Sequence, residues 1–324
     1  MARYLVSGAA GFIASRVTSM LLDAGHSVVG LDNLNDAYDV RMKQYRLARL
    51  QPREGFHFER MDIADRDAVA ALAAHGPFDA VFNLAARAGV RQSVANPWVY
   101  VDTNLTGTLN LLELARQTGT QKFILASTSS IYGANAPLPT PETADSSRPL
   151  QPYAASKKAA EVMCHSYHHL YGLDVTVFRY FTVYGPAGRP DMIMFRLAQW
   201  ITEGRTVRLN GDGNQSRGFT YLDDIARGTL LGLKPVGYEI FNLGGHQVIS
   251  INQLIEMVEE LVGRTASISY HEFHSADMLA NCADISKARS VLGWEPQVTL
   301  EEGVPCLVDW YMENRAFASQ IVTE

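Results

Sequence analysis

Gly8-Ala9-Ala10-Gly11-Phe12-Ile13-Ala14 decides how this chain folds, because of what stands on either side of it. Before it, Arg3-Tyr4-Leu5-Val6-Ser7 reads as a buried strand. After it, Ile13, Val17, Met20 and Leu21 recur at helical spacing until Gly25-His26 ends the helix. Ser27-Val28-Val29-Gly30-Leu31-Asp32 is then a second strand ending in an acid. The glycines of this βαβ unit fall where its helix begins. Backbone N–H groups at a helix N-terminus can meet a pyrophosphate only where no side chain intervenes. Gly8 and Gly11 therefore point to a dinucleotide. The Asp32 carboxylate suits free ribose hydroxyls and repels a 2′-phosphate, which selects NAD over NADP.

Outward from this unit the alternation continues. Strands are expected at Phe56 to Asp62, Ala80 to Ala85, Lys122 to Ser127 and Val175 to Arg179, with helices between them. Such alternation implies an α/β fold, a Rossmann-type doubly wound parallel sheet covered on both faces. Ligands of such sheets lie beyond the carboxyl ends of the strands, here Asp62, Ala85-Ala86, Ser127-Thr128 and Tyr180-Phe181-Thr182. After residue 180, glycines and prolines interrupt shorter elements, which marks a second, smaller α/β substrate-binding lobe. The expected division is 1–179, with 219–245 returning to it, against 180–218 and 246–324.

Composition narrows the function. The 324 residues are 47% hydrophobic, enough for a large core, and 28 basic residues against 34 acidic ones give a net charge of −6. No global basic surface suggests a nucleic acid or an anionic membrane, so any phosphate must be held locally. Cys164, Cys282 and Cys306 are too widely spaced for a disulfide framework or structural zinc. With no basic leader and no apolar run of membrane-spanning length, the expected place is the cytoplasm.

Tyr153-Ala154-Ala155-Ser156-Lys157 sets a phenol and an ammonium four residues apart, on one face of an expected helix. A tyrosine titrates near ~10, and roughly 4 kcal/mol of preferential stabilisation of its phenolate would make it a base near neutrality. A neighbouring ammonium and a cationic cofactor both act in that direction. The same spacing is also common in helices without catalytic duties.

Gly-x-x-Gly-x-x-Ala at residues 8–14, Asp32, Thr128 ahead of Ser129-Ser130-Ile131-Tyr132-Gly133, and Tyr153 with Lys157 together resemble the extended short-chain dehydrogenase/reductase family. Three further strings are similar to those of UDP-glucuronate 4-epimerases: Asp32 to Val40, Ala88 to Arg91, and Phe181 to Met192. The resemblance implies NAD-dependent epimerisation of a UDP-sugar at C4 through a 4-keto intermediate. Tyr153 would be the base, Thr128 a partner of the reacting oxygen, and Lys157 the residue that binds the nicotinamide ribose and lowers the Tyr153 pKa. It assigns Gly8, Gly11, Phe12, Ile13, Asp32, Asn33, Asp62, Ile63, Leu84, Ala85, Ala86, Asn104, Ser127 and Tyr180 to the cofactor.

For the sugar nucleotide, the resemblance assigns Ser129, Ser130 and Thr182 to the sugar, and Arg189 to its carboxylate or the diphosphate. Arg217 goes to the phosphates, Val207 and Leu209 to uracil, and Asp277 to its ribose. Related dehydratases and decarboxylases carry an acid in the segment after Thr128, where this chain has two serines. Departures from the family pattern are Ala14, Asn83 where histidine is common, Gly218 where aspartate usually follows the arginine, and Ala276 ahead of Asp277. UDP-glucose/UDP-galactose 4-epimerisation and a non-catalytic NAD-binding regulator are the alternatives. Family members commonly dimerise through helices near 98–117 and 153–171, so a homodimer is expected. His165, His168 and His169 have ligand spacing without a further donor, so no metal is assigned. Arg41, Lys43, Arg46 and Arg49 read as a solvated helix face.

Overall fold

The computed structural model describes residues 1–245, 247–272 and 280–323. Its first strand, β1 (Arg3–Ser7), turns through the glycine loop into helix α1 (Phe12–Asp23) and on to β2 (Ser27–Asp32). Helix α2 (Arg41–Leu50), β3 (Phe56–Arg60), β4 (Ala80–Asn83), β5 (Lys122–Thr128) and β6 (Asp174–Tyr180) follow. Beyond them come β7 (Thr182–Tyr184), β8 (Val207–Asn210), β9 (Ser216–Tyr221), β10 (Tyr238–Leu243), β11 (Val248–Ser250) and β12 (Ile268–His271).

Seven strands pair in the order β10-β6-β5-β4-β1-β2-β3, all parallel. The pleat sends consecutive residues to opposite faces. Leu5, Val81 and Phe123 share one register row and one apolar cluster, whereas Val6, Phe82 and Ile124 share the next row and the opposite cluster. A sheet buried on both faces explains why its strands are continuous apolar runs.

The chain leaves this sheet after β6, and β10 returns to its edge. Between and after these strands stand a β11-β9-β7 sheet and a β12-β8 pair. A third cluster gathers helices Ile193–Thr202, Ile251–Val262 and Leu300–Glu313 through Leu197, Leu254, Val258, Val304 and Leu307. Capping boxes at Ser250/Gln253 and Thr299/Glu302 begin two of them. Met42 of α2 is buried in this third cluster. Leu50 of the same helix lies in the cluster beneath the large sheet, so α2 bridges the two halves. Among the described residues, no helix is long and apolar enough to cross a membrane.

Candidate active site

A cavity of about 640 Å³ opens at the carboxyl ends of the parallel strands and extends to the smaller sheets, a volume suited to small-molecule ligands. At its floor the glycine loop is packed to its limit. A Cβ on Gly8, whose φ is +74°, would stand 2.8 Å from Ala85 Cα. Below it, Ser7 Oγ donates to Asn83 Oδ1 at 2.9 Å and accepts from Ala85 N at 3.1 Å, while Asn83 Nδ2 donates to Thr108. The Asn83 departure therefore completes a buried polar chain beneath the loop. Asp32 ends β2 at the cavity wall, where its carboxylate accepts from Leu34 N at 2.8 Å and Ala10 N at 3.3 Å.

Helix Pro152–Tyr171 starts from an extended Gln151 with Pro152 in its first turn, where the missing N–H is harmless. Tyr153 and Lys157 face the cavity from its opening turns, and Thr128, at the end of β5, hydrogen-bonds the Tyr153 phenol. Burial pushes that phenol above the ordinary tyrosine value, against the pull of Thr128 and the positive charge of Arg189. Arg189, which the sequence reading did not connect with Tyr153, thus adds a charge that favours its phenolate.

Lys157 is itself pushed down to about 8 by burial, opposed by Cys164 and Glu161. Its Nζ is buried without a hydrogen-bond partner among the described residues. An orphaned donor in a cavity floored by a glycine loop and an Asp suits the ribose of a dinucleotide. Arg189 forks onto Asp191 at 3.1 and 2.6 Å. Burial works against both charges, but Arg189 holds the Asp191 carboxyl below its ordinary range. Ser130 N and Thr128 Oγ1 lie 3.2 Å apart, and Ser129 Oγ accepts from Asn281 Nδ2 at 3.2 Å.

Most expected residues meet in this cavity: Gly8, Gly11, Phe12, Ile13, Asp32, Asn33, Asp62, Ile63, Leu84, Ala85, Ala86, Ser127 and Tyr180 on the nucleotide side, and Ser129, Ser130, Thr182, Arg189, Leu209 and Arg217 across from them. Two do not. The Asn104 amide is committed in both directions to the Arg87 backbone, at 2.9 and 3.0 Å, and to Ser156 Oγ, so it braces the wall instead of lining it. Val207 and Leu209 share one face of β8 and both belong to the third core cluster, but only Leu209, at the far end of the strand with Arg208 and Asn210, also reaches the cavity. Asp277 and Ala276 lie outside the described residues.

The structure also overturns the solvated reading for two of the four α2 cations, Lys43 and Arg46, while Arg49 is exposed as expected and Arg41 partly so. Lys43 is 6% exposed and Arg46 4%. Lys43 Nζ donates to Asn35 Oδ1 at 2.9 Å and lies 3.6 Å from Asp32 at the cavity wall. Arg196 and Arg208, which sequence reasoning missed, line the side of Arg217. The expected ligand spacing in the long helix is also used otherwise, since His168 Nδ1 pairs with the Leu173 carbonyl and His165 stands edge-on to Tyr238. His57, Glu59 and His75 do lie together, but at the outer edge of the sheet and apart from the cavity lining.

A parallel sheet of this order, a glycine loop closed by an acid, and a Tyr–Lys pair facing it define a nucleotide-dependent enzyme class. Residues 4–244 match the model of the NAD dependent epimerase/dehydratase family, and the chain belongs to that family. It is 55% identical over 315 residues to the UDP-glucuronate 4-epimerase of Thermodesulfobacterium geofontis (strain OPF15), with 97% of each chain covered. The solved UDP-glucuronic acid 4-epimerase of Bacillus cereus in complex with UDP-glucuronic acid and NAD superposes with a TM-score of 0.90 at 36% identity, covering 96% of this chain and 99% of that one. The UDP-glucose 4-epimerase of Thermotoga maritima with UDP-glucose reaches the same TM-score at 33% identity, with 97% and 99% covered.

Proposed function

We propose that the protein is an isomerase that interconverts UDP-glucuronate and UDP-galacturonate at C4, with NAD retained through the cycle and no loss of carbon dioxide. The observation that carries this reading is a single cavity joining Tyr153, Lys157 and Thr128 to two serines, Thr182 and a set of arginines. The 55% identity to a protein named UDP-glucuronate 4-epimerase supports the same substrate. Residues 1–179 with 219–245 would hold NAD, and 180–218 with 246–324 the UDP-sugar.

NAD, when bound, would supply the hydride acceptor and donor. Gly8 and Gly11 would admit its pyrophosphate, Asp32 and Lys43 would hold the adenosine ribose, and Lys157 would gain the oxygen partners it lacks. Tyr153, ionised with help from Arg189 and Thr128, removes the proton of the sugar 4-hydroxyl and later returns one. Thr128 holds the oxygen that passes from alcohol to ketone. Oxidation at C4 places a ketone β to the C5 carboxylate, an arrangement prone to decarboxylation. Ser129, Ser130 and Thr182 restrain that carboxylate with neutral donors, and the segment after Thr128 offers no acid to promote elimination. Arg189, on the side of Tyr153, and Arg196, Arg208 and Arg217 provide the charge for the diphosphate.

The chain works in this reading as a cytoplasmic homodimer. Supporting it are three cysteines that remain free and apolar side chains exposed on packed helices, Trp98 among them. Proton NMR of the purified protein with UDP-glucuronate, without added cofactor, should show UDP-galacturonate accumulating. A UDP-pentose product, or a higher kcat/KM for UDP-glucose, would overturn the substrate assignment. Tyr153→Phe should lower turnover by about 10²–10⁴-fold while the protein still copurifies with NAD, and retained activity would remove Tyr153 as the base.

A further inference from the structure

Arg46 stands among partners that no helix-face pattern would suggest. Its Nε donates to Ala187 O at 2.9 Å and its Nη2 to Gly188 O at 2.9 Å. Its Nη1 donates to Ala10 O at 3.2 Å and to the Tyr38 hydroxyl at 2.9 Å. The guanidinium also stands 5.7 Å from the Phe12 ring centroid and 5.6 Å from that of Tyr38. One buried side chain thus grips the glycine loop, the loop after β2 and the turn that leads into Arg189.

Both gripped segments are positioned for function. The Ala10 N–H is held by Asp32, so with its carbonyl on Arg46 the middle of the glycine loop is fixed from both sides. Ala187 has φ +53°, a left-handed conformation that a side chain disfavours and that persists where surrounding contacts impose it. The Arg46 bonds to Ala187 and Gly188 are such contacts, and the next residue is Arg189. Tyr38 completes the connection, because the Arg189 guanidinium lies 5.5 Å from the same tyrosine ring.

We propose that Arg46 is a positioning residue that couples the glycine loop to Arg189, so that filling the cofactor cleft sets the guanidinium that faces Tyr153 and the sugar. Its fork reaches carbonyls of two segments at once. Lysine keeps the charge but has no planar fork and cannot hold the three carbonyls in that geometry. The coupling is reciprocal: a ligand held on the Arg189 side must raise the affinity for the cofactor by the same factor, and with an unchanged association rate this is read as slower cofactor loss.

The inference rests on the proposed UDP-sugar site for its kinetic readout, and NAD release provides one that does not depend on turnover. The NAD-bound protein, wild type, Arg46→Met and Arg46→Lys, would be diluted and NAD loss followed with and without UDP as the probe. UDP should slow NAD loss in wild type by about tenfold, the size of a typical coupling. That effect should vanish in Arg46→Met and be reduced in Arg46→Lys. With UDP-glucuronate, Arg46→Met should raise KM by about tenfold and lower kcat as well, because a displaced Arg189 loses both its hold on the substrate and its charge beside Tyr153.

An equal UDP effect on NAD loss in wild type and Arg46→Met would overturn the proposal, as would no UDP effect in wild type. If Arg46→Met does not fold, Tyr38→Leu, which leaves the arginine fork but removes the ring shared with Arg189, should also weaken the UDP effect, and an unchanged effect there would count against the coupling. Failure of wild type to epimerise UDP-glucuronate with the UDP effect intact would sink the substrate reading alone.

Discussion

Lys157 combines a full burial cost with a missing partner, and the two are connected. Its ammonium, pushed down to about 8, is destabilising in the folded protein wherever it is charged. Between about 8 and the ordinary lysine value near 10.5, the unfolded chain binds a proton that the folded chain has released. Stability therefore rises with pH across that window, and the penalty is complete below it. Lys157→Met should accordingly stabilise the NAD-free protein at pH 7 by roughly 3 kcal/mol, an upper estimate from the depressed pKa. The gain should shrink as pH rises from 8 to 10. Urea unfolding at pH 7 and pH 10 checks this, and a variant less stable than wild type at pH 7 would contradict it. Activity should be lost at the same time, since in the proposed function the unsatisfied donor binds the cofactor ribose. Such local cost at a functional position is an expected conflict between stability and chemistry.

At the scale of elements, Gly218 shows how a departure from the family pattern can be structural. A Cβ there would come 2.7 Å from Gly245 O and 3.4 Å from Asn281 O, and Gly218 N already donates to Asn281 O at 2.7 Å. Gly218→Ala should cost about 1–3 kcal/mol by overpacking β9, and Gly218→Asp more, because its carboxylate would face carbonyl oxygens. Wild-type urea midpoints for both variants would refute this.

The same scale separates what the sequence reveals from what it hides. Leu5 and Val6 betray a strand buried on both faces because the pleat acts on adjacent residues. Gly8 and Asp32 are legible for a similar reason, since loop, helix and acid follow one another within a single βαβ unit. Arg46 was misread because its charge suggests solvent, whereas the carbonyls that satisfy it belong to residues 141 and 142 positions further on. Asn104 and Val207 expose another limit. A motif match locates a residue, but partners such as Arg87 and the core packing of β8 decide whether its side chain reaches the cavity.

Across the whole molecule, the long helix that presents Tyr153 and Lys157 to the cavity leaves Val162, Leu170 and Tyr171 exposed further along. It packs against the segment around residues 90–106, where Val94, Trp98 and Val101 are also exposed. Trp98 is 75% exposed and Leu170 65%, whereas Tyr100 and Leu111 of the same region are core, so only part of the apolar surface near 98–117 is left for a subunit contact. Apolar side chains gathered on adjacent helices are costly to leave in water. A two-fold contact would bury the same patch from each copy. A stable interface of about 1,600 Å² in total needs some 800 Å² per copy, within reach of two helices of this length. The double variant Trp98→Glu/Leu170→Glu would place carboxylates in that patch without touching the cavity. Light scattering at micromolar concentration should find a dimer for wild type and a monomer for the variant, with unchanged circular dichroism and NAD still bound. A monomeric wild type, or a variant that remains dimeric, would move the subunit contact away from these helices. Loss of NAD on dissociation would show instead that the contact supports the helix end carrying Lys157, the proposed link between this helix and the cofactor.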